Sequence, residues 1–254
     1  MPSPIRLEET LDELLGGRLQ VLQKAKGYRF SLDALLLAHF VRLRTGEQVL
    51  EMGAGSGVIS LILTKRWDEV SMTGIDIQAG MVEMACRSIA LNELGAKVTM
   101  RQLDIREIQG AFPPKTFDAV IANPPYRKAN AGRTNPDHEK ALARHEIAGG
   151  LRDFLRAAAY VLKPAGRAYF IYPASRLVEL LSAMRAARVE PKKLRLVYSR
   201  TGTAGQFVLT EGLREGGEEL EILPPLIIYD EKDNYTDEMA GIFKELAAPG
   251  IFAR

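Results

Sequence analysis

The sequence is poor in cysteine, in histidine and in long apolar runs. Cys86 is the one cysteine among 254 residues. That excludes an intrachain disulfide framework and fits a chain kept in a reducing compartment. Two of the 3 histidines, His138 and His145, have no cysteine or third histidine at metal spacing. They read as surface or phosphate-facing histidines, and no metal site is predicted. No stretch approaches a membrane span, and Met1 to Arg6 carries no apolar leader segment. Net charge is +2, too small to define a partner before the charge is located. Together these absences predict a soluble, cytoplasmic chain.

What is present is a globular balance, with 46% hydrophobic and 26% charged residues. A chain of this size holds one large α/β domain with a small appendage. Residues 1–45 read as an N-terminal cap. Thr10 to Leu15 is expected to form a helical turn, Arg18 to Gln23 a strand, and Ser31 caps a helix over Leu32 to Arg42. Residues 46–254 form the main domain. Strands are expected at Gln48 to Met52, Val70 to Ile75, Lys97 to Gln102, Phe117 to Ala122 and Gly166 to Tyr172, alternating with helical patterns. That alternation predicts a doubly wound, mostly parallel sheet. Late strands are expected at Leu194 to Ser199 and Phe207 to Thr210, an acidic turn over Glu211 to Glu221, a further β run at Leu226 to Tyr229, and a terminal helix from Asp237.

The strand Phe117 to Ala122 stops hard at Asn123, Pro124 and Pro125. The two prolines lack N–H donors and fix φ, so the chain leaves the sheet in a rigid, extended turn. The turn offers an amide side chain, the Pro124 carbonyl and the aromatic face of Tyr126. Those groups suit a planar exocyclic amine. The first strand runs into Glu51, then Gly53, Gly55 and Gly57 ahead of a helix. Such glycines permit a tight turn and close approach of a ligand to the backbone. Asp76 ends the next strand about 20 residues on, where a carboxylate takes ribose hydroxyls in dinucleotide-binding folds. Asp104 ends the third strand. It reads either as the N-cap of Ile105 to Glu107 or as the partner of an adenine amine.

These residues resemble the class I S-adenosylmethionine-dependent methyltransferases. The resemblance covers about Glu47 to Tyr172 and implies a seven-stranded Rossmann-like sheet. It also implies S-adenosylmethionine as cofactor, held by Glu51, Gly53, Gly55, Gly57, Asp76, Ile77, Asp104 and Asn123. Asn123-Pro124-Pro125-Tyr126 resembles the active-site motif of the members that methylate amines. There the Asn side chain and the first Pro carbonyl accept the amine hydrogens, and the Tyr stacks on the base. The stretches Leu11 to Leu19, Gly27 to Ala38, Ala143 to Glu146 and Leu223 to Asp230 look like bacterial enzymes that methylate adenine N6 in the anticodon loop of a valine tRNA. That likeness implies an RNA partner, with Lys26, Arg29, Arg127, Lys128, Arg133, Lys140 and Arg144 as phosphate contacts. Guanine-N2 methylation of rRNA, glutamine methylation of a protein, and a non-catalytic RNA-binding module remain open alternatives.

Overall fold

The computed structural model describes residues 5–25, 32–67, 69–125 and 149–246. Its central sheet holds β3 (Gln48–Met52), β4 (Ser71–Asp76), β5 (Val98–Gln102), β6 (Phe117–Ala122), β7 (Leu162–Pro173), β8 (Val189–Tyr198) and β9 (Gly205–Arg214). Their spatial order is β8, β9, β7, β6, β3, β4, β5. Two short pairs, β10 (Glu221–Ile222) and β11 (Leu226–Ile227), extend the β8 edge. Strands β3 to β7 pair in parallel, while β9 runs antiparallel to both β7 and β8.

Alternation along the central strands explains why helices cover both faces. Val49, Ala119, Ile121, Tyr169 and Ile171 point into one core with α1 (Leu32–Phe40), α2 (Val58–Arg66), α3 (Ala79–Leu91) and the C-terminal helix Asp237–Leu246. Leu50, Met52, Val120, Ala122, Phe170 and Tyr172 point into the other. That core is closed by the helices Leu151–Val161 and Leu177–Ala186. From β3 the chain winds outward through β4 and β5, then crosses back to β6 on the other side of β3. The reversal opens a crevice at the C-terminal ends of β3 and β6, where open α/β sheets place ligands.

The segment read as a cap is built into this body. Leu35 and Leu37 are fully buried in the same core as Val49, so the 45/46 boundary does not separate two cores. Thr10 to Leu15 is not helical. It belongs to β1 (Glu9–Leu14), paired antiparallel with β2 (Leu19–Lys24) from Leu14↔Leu19 to Glu9↔Lys24. Leu15, Gly16 and Gly17 all take positive φ in the connecting turn, and pairing across that turn overrides the local helical preference.

Side chains of α3 anchor the hairpin. Ser88 Oγ accepts the Leu22 N–H at 3.0 Å. Asn92 accepts the Gln20 N–H at 2.9 Å and donates back to the Gln20 carbonyl at 2.6 Å. Glu9 forms a charge-assisted pair with Arg87 of the same helix. Ser88 and Leu22 are both fully buried, so the Leu22 N–H has no water to turn to. Ser88→Ala is expected to lower stability by about 1–3 kcal/mol, the cost of a stranded buried donor. Urea denaturation checks this, and an unchanged midpoint would mean that the hairpin is held by apolar contact alone.

Candidate functional site

Sheet register sets the geometry of the site. Met52 of β3 lies opposite Ala122 of β6 and Ile75 of β4. Gly53, Asn123 and Asp76 therefore leave three adjacent strands at one height. Asp76 lies opposite Gln102 of β5, which brings Leu103 and Asp104 to the same edge. Strands sit about 4.8 Å apart, so the predicted strand-end residues line one continuous crevice.

After β3 the chain curls back over β4. The Gly53 and Ala54 N–H groups both donate to the Ile75 carbonyl at 2.9 Å. Gly53, Gly55 and Gly57 have φ of 70°, 54° and 74°, the left-handed region that a side chain would strain. Gly53 is exposed to the crevice. Asp76 ties the curl down: its Oδ2 accepts the Gly55 N–H at 2.9 Å and its Oδ1 the Gln78 N–H at 2.8 Å. Burial raises its pKa, opposed by those two backbone donors. Ile77 follows it, half-buried.

Glu51 lies beneath the curl, 3% exposed. One of its oxygens accepts the Ser60 N–H at 2.8 Å and the Ser60 hydroxyl. Its carboxyl thus serves the first turn of α2, whose N–H groups lack partners within the helix. Asp104 caps the turn Ile105–Glu107, accepting the Arg106 N–H at 2.9 Å, and it also pairs with the Arg106 guanidinium. That guanidinium holds its carboxyl below the usual range. The N-cap reading of Asp104 is therefore realised, and a carboxylate keeps further lone pairs for another donor.

Asn123 is half-buried, Pro124 buried and Pro125 half-buried. Asn123 Nδ2 donates to Asp33 Oδ2 at 3.1 Å. Asp33, in the first turn of α1, was not singled out in the sequence as a site residue. The signals were an acid heading a largely apolar helix and its place in the Gly27 to Ala38 stretch. Tyr126, Arg127, Lys128, Arg133, Lys140, Arg144, Lys26 and Arg29 lie outside the described residues, as do His138 and His145. The described flanks of the long basic stretch, Pro125 and Gly149, both sit near the crevice. A Cβ on Gly149 would lie 3.2 Å from Ile105, directly after Asp104. A cleft of about 350 Å³ is lined by Ile105, Arg106, Ile108, Gln109, Asp153 and Arg156, the chain just after Asp104 and the facing helix Leu151–Val161. A roomier cleft of about 700 Å³, between the helices Leu151–Val161 and Leu177–Ala186, shares no residue with the strand ends. Among the described residues, no group of three His, Cys, Asp or Glu side chains could hold a metal, and no helix is long and apolar enough to cross a membrane.

A doubly wound sheet with one reversed strand, a glycine curl and acids at successive strand ends defines a Rossmann-like methyltransferase fold. A crystal structure of a predicted O-methyltransferase, protein Atu636 from Agrobacterium tumefaciens, is similar to it. The TM-score is 0.69 and the identity 21%, over 85% of this chain and 98% of that one. Residues 31–178 match the methyltransferase small domain, and the chain belongs to that family. A relative from Actinobacillus succinogenes, named tRNA1(Val) (adenine(37)-N6)-methyltransferase, is 28% identical over 84% of this chain and 87% of its own. One of the same name from Pedobacter heparinus is 29% identical over 61% of this chain and 64% of its own.

Burial pushes the Glu51 carboxyl up from 4.5 to about 7, against the Ser60 donors, which pull it down. A carboxyl with a raised folded pKa binds its proton more tightly folded than unfolded. Its stabilising contribution is complete below pH 4.5 and is lost as pH rises through 7. The swing is about 3 kcal/mol. Glu51→Gln keeps an acceptor for Ser60 and cannot ionise. Its Tm advantage over the wild type should grow between pH 5 and 8. A pH-independent difference would mean that Glu51 carries the same charge throughout.

Proposed function

We propose that the protein transfers a methyl group from S-adenosylmethionine to the exocyclic N6 amine of an adenine in the anticodon loop of a valine tRNA, in the cytoplasm. The observation that carries this reading is the placement of Asn123 level with Gly53 at the crevice between β6 and β3. The names of the relatives from A. succinogenes and P. heparinus support the choice of substrate. The O-methyltransferase description of the A. tumefaciens protein belongs to a neighbour at 21% identity and speaks to fold alone.

The residues present fit the cofactor. Gly53 offers exposed backbone without a side chain, and the Asp76 and Asp104 carboxylates keep acceptor capacity beyond the donors they already take. Glu51, Gly53, Gly55, Gly57, Asp76, Ile77, Asp104 and Asn123 are the residues assigned to hold it, and the buried Glu51 also accepts from Ser60 of α2. Bound there, the cofactor supplies an electrophilic sulfonium methyl.

The chain's own task is to prepare the amine. Adenine N6 is a weak nucleophile because its lone pair is delocalised into the ring. The Asn123 Oδ1 and the Pro124 carbonyl accept its two hydrogens, which favours a pyramidal nitrogen and stabilises the positive charge that grows on it. The proton leaves to water after transfer, so no dedicated base is needed. Tyr126 stacks on the base, and Arg127, Lys128, Arg133, Lys140, Arg144, Lys26 and Arg29 meet phosphates while the nucleotide is swung out of its loop.

Labelled cofactor with total tRNA from cells lacking the gene, followed by nucleoside analysis, tests the assignment. Label is expected in N6-methyladenosine of a valine tRNA. Label in N2-methylguanosine of rRNA, or in protein, would overturn it. Asn123→Ala should lower the single-turnover rate at least about a hundredfold while S-adenosylhomocysteine still binds.

A further inference from the structure

The turn after β6 fixes where Asn123 sits but not which way its amide faces. Pro124 and Pro125 lock the backbone. The amide itself is nearly symmetric in shape, and a half-turn about its last side-chain bond exchanges the oxygen for the nitrogen. One orientation offers an acceptor to an incoming amine. The other offers N–H donors to a group whose own hydrogens must be accepted, and transfer fails. Some other group has to decide between the two.

Asp33 stands where that group must be. Its Oδ2 lies 3.1 Å from Asn123 Nδ2, across 90 positions of sequence. A carboxylate can only accept, so only the nitrogen end of the amide can face it. Asp33 is 7% exposed, and its other oxygen accepts the Ala34 N–H at 2.9 Å, which fixes the rotamer. The helix that carries it is immobilised by the fully buried Leu35 and Leu37. Beyond its C-terminal end, the Arg42 carbonyl accepts from the Tyr169 hydroxyl at 2.8 Å and from Arg167 at 2.6 Å.

We infer that Asp33 is a positioning residue for methyl transfer: its carboxylate takes the Asn123 Nδ2 hydrogen and so commits Oδ1 to the substrate amine. This rests on the reading of Asn123 given above. Donation into a carboxylate also drives electron density towards Oδ1, which strengthens the acceptor as charge builds on the amine. A carboxylate at 123 would also be an acceptor, which by itself favours more activity in Asn123→Asp than in Asn123→Ala. The contact with Asp33 works against it, because the introduced carboxylate would face another carboxylate.

The test is a double-mutant cycle of Asp33→Asn and Asn123→Asp, read as single-turnover rate, KM for tRNA, S-adenosylhomocysteine affinity and Tm. Asp33→Asn is isosteric, but the amide introduced at 33 can meet either end of Asn123. The rate should fall about tenfold or more, with KM, cofactor affinity and Tm little changed. Asn123→Asp alone should also be slow, through carboxylate facing carboxylate. The double variant restores a donor–acceptor pair, with the amide at 33 donating to the carboxylate at 123. It should recover at least about tenfold over the slower single variant. Three results would each overturn the inference: a wild-type rate in Asp33→Asn, a rate lost only in proportion to lost Tm or cofactor affinity, or a double variant no faster than the slower single. A near-wild-type rate in Asn123→Ala is a separate result that would overturn the underlying reading of Asn123 as the amine acceptor.

Discussion

Everything at the site depends on the register between β3 and β6. Met52 opposite Ala122 puts a glycine curl and an amide side chain on neighbouring strands at one height. A one-residue slip would turn Val49, Ile121 and their neighbours to the wrong face of the sheet. Two full cores therefore guard the alignment of two loops. In the proposed reaction, that alignment is what brings a methyl donor and an amine within reach of each other. The rest of the edge follows from the same ladder: Ile75 opposite Met52 places Asp76, and Gln102 opposite Asp76 places Asp104.

The acids at the strand ends hold the loops around the crevice. Asp76 uses both oxygens to tie the glycine curl to the start of α3, so the loop is held before anything binds to it. Glu51 serves the first turn of α2 from inside the protein. Preorganisation of this kind spares a ligand the cost of ordering the loop. The N-terminal segment extends the same logic. Its hairpin is fastened to α3 through Ser88 and Asn92, α1 carries Asp33 to Asn123, and the chain just beyond α1 is tied to the central strand β7 through the Tyr169 hydroxyl.

Local patterns were legible in the sequence, and pairings across the chain were not. β6 and its proline stop, the glycine curl, Asp76 and Asp104 could be read because each signal spans a few residues. β1 could not, because its strand character comes from β2. Glu211 and Gly212 suggested an acidic turn, yet both lie inside β9. Gly212 is there for packing: a Cβ would come within 2.5 Å of Met184 and 2.7 Å of Val189. Pro191 sits in β8 at a register shift, a position that tolerates a missing donor. Asp33 was hidden in a leucine-rich helix, and only its contact across the fold with Asn123 gives it meaning.

The account stands on one spatial claim, that methyl donor and amine acceptor meet in the crevice between β3 and β6. A crystal structure with S-adenosylhomocysteine tests it most directly. The account predicts the homocysteine sulfur between Gly53 and Asn123, with the ribose at Asp76 and the adenine beside Asp104. A ligand seated away from that edge, with its sulfur out of reach of the Asn123 side chain, would contradict it.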